Sequence, residues 1–76
     1  MNANQQINSS DLKLYRRIAK EENVTIGKLS THKSGDCYEV WEDGRAGWYG
    51  RADSATDAKA KHVLDKIKQA REWVDA

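Results

Sequence analysis

Proline and phenylalanine are absent from this sequence of 76 residues, and cysteine occurs only at position 37. A single cysteine excludes an internal disulfide and any zinc site built from several cysteines. No apolar run approaches the roughly 18 residues that a membrane span requires, and none follows Met1. We therefore expect a soluble, cytoplasmic protein that does not associate with membranes.

Net charge is also low, because 13 Lys and Arg residues face 12 Asp and Glu residues, giving a formal value of +1. This near balance does not indicate a strongly basic nucleic-acid binder, and it excludes an acidic mimic of DNA more firmly. A domain of this length buries only about 60% of the surface that its unfolded chain exposes. The three Trp and three Tyr residues must therefore supply much of the core.

The order of helix and strand signals predicts an α+β domain, α-β-β-β-α, in which two helices cover one face of a three-stranded antiparallel sheet. Residues 1–9 are polar and are predicted to be a disordered tail, followed by a single domain at 10–76. Ser9 or Ser10 is expected to cap a first helix that ends near Asn23. Its apolar stripe is predicted to contain Leu12 or Leu14, Tyr15, Ile18 and Ala19. The basic residues recur at i, i+3, i+4 and i+7 on another face: Lys13, Arg16, Arg17 and Lys20.

Residues 24–29 are predicted to be a weak first strand, and 30–36 a loop that contains His32 and Lys33. Asp43-Gly44 between two β-prone runs predicts a two-residue hairpin turn. That turn places three pairs opposite each other: Glu42 and Arg45, Tyr38 and Tyr49, Glu39 and Trp48.

Strand alternation divides the aromatic residues of this hairpin between two faces. Tyr38, Val40 and Tyr49 are expected to face the helices, because Glu39 and Asp43 would be costly to bury on the other side. Trp41 and Trp48 then lie on the open face, as a partner surface or a homodimer interface, unless a chain terminus covers them. The last helix is predicted at about 55–74 after an N-cap at Ser54. Its buried stripe is predicted to be Ala60, Val63, Leu64, Ile67, Ala70, Trp73 and Val74.

No residue pattern indicates catalysis, a cofactor or a metal site. His62 is expected on the surface of the last helix. A Cys37–His62 nucleophilic pair would lack an orienting carboxylate and an oxyanion site. We therefore expect a protein that is not an enzyme and needs no cofactor.

At the start of the last helix, four residues follow the spacing of the pattern G-x-G-x-S-K-K-x-A-K: Gly50, Ser54, Ala58 and Lys59. Ala55 and Thr56 replace its two central lysines, and the acids Asp53 and Asp57 lie beside them. In this pattern, and in the order α-β-β-β-α, the chain resembles a double-stranded-RNA-binding domain over roughly residues 10–70.

This resemblance implies binding of duplex nucleic acid, with RNA favoured, through the first helix, the loop between the first two strands and the start of the last helix. The residues that it implies are Lys13, Arg16, Arg17, Lys20, His32, Lys33 and Lys59.

A second resemblance is to small proteins of phages and mobile elements, including anti-CRISPR inhibitors, through the order strand, Glu-Asp-Gly turn, strand and Ala-rich helix. It implies an inhibitor that binds a protein through the open sheet face, with Trp41, Trp48 and Glu39 at the interface. A ribonucleoprotein partner would satisfy both resemblances.

Overall fold

The computed structural model describes the backbone of residues 3–75 and the side chains of residues 12–72. The elements are α1 (Ala3–Glu21), β1 (Leu29–Ser34), β2 (Cys37–Glu42), β3 (Arg45–Arg51) and α2 (Ala55–Asp75). The three strands form one antiparallel sheet in the order β1-β2-β3. The predicted α+β class and the order α-β-β-β-α are therefore confirmed.

Helix α1 begins at Ala3, upstream of the predicted cap at Ser9 or Ser10. The predicted cap position is wrong because no proline or glycine interrupts residues 3–21, so nothing in this segment stops the helix. The predicted disorder of residues 1–9 stays a prediction, and residues 1 and 2 lie outside the described part of the chain.

The C-terminus of α1 is closed by a left-handed residue, Asn23, with φ of 61°. The amide of Val24 donates to the carbonyl of Ala19 at 2.7 Å, and the Asn23 amide donates to that of Lys20 at 3.2 Å. This pair of bonds is a Schellman motif, which satisfies carbonyls that the end of a helix leaves free. The predicted helix end near Asn23 is therefore close to the observed one.

Strand β1 occupies Leu29–Ser34, so the predicted first strand at 24–29 and the predicted loop at 30–36 are both wrong. Only Gly35 and Asp36 separate β1 from β2. Gly35 has φ of 60°, a backbone conformation that glycine adopts without strain.

The segment before β1 is held by carboxylates instead of by a strand ladder. The Gly27 amide donates to Glu42 Oε2 at 2.9 Å, and the Lys28 amide donates to Asp43 Oδ1 at 2.9 Å. The Asp43 amide donates back to the Lys28 carbonyl at 2.8 Å. These bonds need side chains that are distant in sequence, which is why the local apolar pattern at 24–29 was misleading.

The hairpin between β2 and β3 turns at Asp43-Gly44, as predicted. Both residues have positive φ, 52° and 83°, as a type I′ turn requires. Glu42 lies opposite Arg45, which confirms that predicted pair.

A β-bulge shifts the pairing of β2 and β3 beyond this turn. Trp41 lies opposite Ala46, whereas Val40 lies opposite Trp48, so Gly47 is the extra residue on β3. An inserted residue moves all later side chains of the bulged strand to the other face.

The shift overturns the two other predicted pairs. Tyr38 lies opposite Gly50 and Glu39 opposite Tyr49, so the predicted pairs Tyr38–Tyr49 and Glu39–Trp48 are wrong. Val40 is fully buried beneath α2, and its partner Trp48 is half-buried on that side. Tyr49 instead points to the open face, where 65% of it is exposed.

Helix α2 contacts all three strands, and α1 packs along α2. The buried hydrophobic residues are Ala19, Val40, Ala58, Ala60, Val63 and Ile67. Leu12, Tyr15 and Ile18 of α1 pack against this core, whereas Leu14 is 47% exposed. Trp73 and Val74 of the predicted stripe lie outside the described side chains. Neither helix, over its described residues, has an apolar stretch long enough to cross a membrane.

Candidate binding surfaces

The first candidate surface is the basic face of α1, which consists of Lys13, Arg16, Arg17 and Lys20. All four side chains are exposed, as the helical spacing predicts. Among the described residues, none of them forms an ion pair, whereas several acids elsewhere are neutralised. Those neutralised pairs are Asp57 with Lys61, Glu42 with Lys66 and Glu22 with Arg71. Helix α1 therefore presents four uncompensated positive charges on one face.

A groove runs beside the basic face of α1, where the chain turns towards the sheet. Arg16 and Lys20 line it together with residues 23–26. The other wall is fixed from α2, because Lys66 Nζ donates to the Thr25 carbonyl at 2.9 Å. The two cations therefore border a concave surface.

His32 and Lys33 lie on β1 and point to opposite faces, not to one loop. The His32 ring meets the Trp41 ring edge to face, with centroids 6.0 Å apart. Lys33 Nζ lies 5.8 Å from the centroid of the Tyr38 ring on the other face. The structure therefore separates these two predicted site residues.

The start of α2 is occupied by its own carboxylate. Ser54 Oγ accepts from the Asp57 amide at 3.0 Å, which confirms the predicted N-cap. Asp57 Oδ2 accepts from the Asp53 amide at 2.9 Å and from Lys61 Nζ at 2.8 Å. Partial burial opposes ionisation of Asp57, but the bonds from Lys61 and the Asp53 amide outweigh it and lower its pKa. An anionic side chain therefore already stands where a phosphate would bind.

Two of the three predicted contact regions meet at this end of the sheet. Lys33 of β1 and Asp36 of the first turn line one surface pocket with Arg51, Asp53 and Lys61. Positive and negative charges are mixed there, so the pocket does not present a basic surface. The half-buried Lys59 does not line this pocket, and neither does the basic face of α1.

The second candidate surface is the open-face patch, which consists of His32, Glu39, Trp41 and Tyr49. His32, Glu39 and Tyr49 form one cross-strand row, because each lies directly opposite the next in the sheet register. Trp41 follows Glu39 on the same face, and its Nε1 donates to Glu39 Oε1 at 3.4 Å. Of the predicted protein-interface residues, Trp41 and Glu39 lie here, whereas Trp48 does not.

Tyr49 also neighbours Cys37 on this face. A hydrogen bond with the Cys37 side chain and the charge of that thiol when ionised raise the pKa of the Tyr49 phenol, and partial burial and the Glu39 carboxylate add to the rise. Cys37 and His62 lie on opposite sides of the sheet, so they do not form a nucleophilic pair. Within the described residues, no three His, Cys, Asp or Glu side chains are grouped to hold a metal ion.

His62 is a buried residue of α2, not the surface residue that the sequence suggested. Only 4% of it is exposed, and its Nε2 lies 2.8 Å from Glu42 Oε1. Partial burial opposes ionisation of Glu42, but bonds from Lys66, the Gly27 amide and His62 outweigh it and lower its pKa to about 2. The sequence signal for this face was Ala58, an apolar residue one helical turn before His62, and it is buried as well.

No protein-family model, curated protein or solved structure matches this chain. The topology is compatible with a double-stranded-RNA-binding domain, and membership of that family stays a prediction.

Proposed function

We propose that this protein is a non-catalytic module that binds nucleic acid, duplex RNA first, through the basic face of α1. The observation that carries the proposal is the set of four exposed cations on one helix face without ion-pair partners in the described chain. Phosphates attract such a row, and release of their counterions drives binding.

The groove beside α1 supports the proposal, because Arg16 and Lys20 border a concave surface in which a phosphate backbone can lie. The α-β-β-β-α order also agrees with the resemblance to duplex-RNA-binding domains. Two of that family's contact regions are expected to contribute little to phosphate binding here. The first turn carries the acid Asp36, and the carboxylate of Asp57 occupies the start of α2. The proposed contacts are therefore concentrated on α1.

Fluorescence anisotropy tests the proposal with labelled RNA and DNA duplexes of about 20 base pairs, longer than the roughly 16 that one duplex-RNA-binding domain spans. We expect saturable binding that weakens as salt rises. Arg16→Glu combined with Lys20→Glu is expected to abolish binding at moderate salt. At low salt, Arg16→Ala with Lys20→Ala is expected to lower the slope of log K against log salt by about 2.

Lys28→Glu with Lys68→Glu is the matched control for the charge reversal. Both side chains are exposed and belong to no ion pair in the described chain, and the net charge changes equally. The control is expected to bind duplex RNA more tightly than the variant with Arg16→Glu and Lys20→Glu. Equal losses in both variants, or unchanged binding after reversal at Arg16 and Lys20, would contradict the proposal.

A second candidate function is a protein-binding inhibitor of the kind carried by phages and mobile elements. The open-face patch favours it, because Tyr49 is 65% exposed beside the half-buried Trp41 on a sheet face that neither helix covers. Exposed aromatic side chains grouped in this way are typical of protein interfaces.

A further inference from the structure

Glu39 is an acid without a cation at the centre of the open-face patch. Its side chain is half-buried, and among the described residues it belongs to no ion pair. Its carboxylate accepts one hydrogen bond from the described side chains, from Trp41 Nε1, and that bond is long at 3.4 Å. A partly desolvated carboxylate gains from a positively charged partner, because surrounding water only partly stabilises its charge.

The aromatic rings around Glu39 also attract positively charged groups. His32 and Trp41 stand at 76° to each other and form a corner, and Tyr49 lies directly across from Glu39 on β3. The faces of Trp and Tyr rings carry negative electrostatic potential, which attracts ammonium and guanidinium groups. The four residues of the patch include no Lys or Arg, and Arg51, the cation opposite Cys37 on this face, lies at the end of β3.

We propose that the open-face patch binds a cationic side chain of a protein partner, with Arg preferred over Lys. A guanidinium group is planar, so it stacks on an aromatic ring while its N–H groups bind a carboxylate. The proposal rests on the second candidate function and supplies its partner chemistry. It is independent of nucleic-acid binding, because α1 packs on α2, across the sheet from this patch.

The test uses NMR of uniformly ¹⁵N-labelled protein titrated with a short peptide of alternating Gly and Arg. The indole N–H signal of Trp41 reports the patch, and that of Trp48, on the helix side of the sheet, is an internal control. We expect a saturable shift of the Trp41 signal that is larger than the shift of the Trp48 signal. A Gly-Lys peptide is expected to bind more weakly, and Gly-Gln and Gly-Glu peptides are expected to give no saturable shift.

Glu39→Gln removes the charge but keeps an oxygen for Trp41 Nε1, so the fold is preserved. It is expected to weaken Gly-Arg binding about fivefold. Asp36→Asn changes the net charge equally at an exposed turn position and is expected to leave binding unchanged. Any one of three results overturns the proposal. The Gly-Gln peptide shifts the Trp41 signal as much as the Gly-Arg peptide does, the Trp41 signal shows no saturable shift, or Glu39→Gln binds the Gly-Arg peptide as tightly as the wild type. None of these outcomes bears on RNA binding by α1, which the anisotropy experiment tests separately.

Discussion

His62 of α2 donates a hydrogen bond from Nε2 to Glu42 of β2, with 2.8 Å between Nε2 and Oε1. The proton lies on Nε2 because an ionised carboxylate can only accept hydrogen bonds. Lys66 Nζ binds the same carboxylate at 2.7 Å, and the Gly27 amide binds it at 2.9 Å. One carboxylate therefore joins α2, the end of β2 and the segment that leads into β1.

Glu42 is expected to make the stability of the domain depend on acid pH. Its pKa is about 2 in the folded protein, below the ordinary value of 4.5. Because the folded value is the lower one, the stabilisation is fully present above pH 4.5 and is lost as the pH falls towards 2. The loss amounts to up to about 3 kcal/mol. Urea unfolding near pH 7 and at about pH 3 measures the greater part of this loss, about 2 kcal/mol.

Glu42→Gln is the matched variant for this pH dependence. It cannot ionise, so it is expected to be less stable than the wild type at neutral pH and to lose less stability on acidification. Asp57 and Glu22 also have lowered pKa values and retain their own contribution in the variant. The explanation fails if the variant and the wild type lose equal stability between the two pH values.

Gly47→Ala is expected to destabilise the fold by displacing His62. A Cβ atom at Gly47 would lie 2.6 Å from His62 Cε1 and 3.2 Å from Nδ1, too close for a buried ring to remain in place. Overpacking of this kind costs about 1–3 kcal/mol. Thermal unfolding of the two single variants and the double variant, with His62→Ala as the second change, measures the coupling.

The cost of Gly47→Ala is expected to be much smaller in the His62→Ala background, because the clashing ring is gone. Equal costs in both backgrounds would show that the bulge needs glycine for its backbone rather than for the space above it. A single Gly47→Ala variant as stable as the wild type would contradict the contact itself.

The sequence could predict the features of this fold that depend on neighbouring residues. The Asp43-Gly44 turn and the Ser54 cap are short-range patterns, and both are confirmed. The bulge at Gly47 could not be read in the same way, since it depends on the fit of Gly47 against His62 of a distant helix. The position of β1 likewise depends on contacts of Glu42 and Asp43 with residues 27 and 28.

The two candidate surfaces also differ in how far they depend on residues that are distant in sequence. The basic face of α1 follows from helical spacing alone, and all its members are exposed. The open-face patch could be predicted only in part: Trp41 and Glu39 keep their predicted face, whereas Tyr49 reaches it through the bulge. His32 was predicted to lie in a loop. Because β1 spans Leu29–Ser34, His32 is instead a strand residue whose ring contacts that of Trp41 on the open face.

Ser54→Ala is expected to destabilise the domain by about 1 kcal/mol, because it removes the acceptor that the Asp57 amide binds at the start of α2. Ser10→Ala is the control, since Ser10 lies within α1 and not at its N-terminus. Thermal unfolding followed by circular dichroism compares the two. A larger loss for Ser10→Ala would place the functional start of α1 at Ser10 and contradict the observed helix boundary.

Trp48→Ala and Tyr49→Ala are expected to differ strongly in stability, because the bulge places these neighbours on opposite faces of β3. Trp48 is half-buried beneath α2, and its loss is expected to cost about 2–3 kcal/mol. Tyr49 is 65% exposed, and its loss is expected to cost under about 1 kcal/mol. Chemical unfolding followed by circular dichroism measures both without depending on tryptophan fluorescence. A pairing without the bulge would reverse the order, so a greater loss for Tyr49→Ala would contradict the observed register.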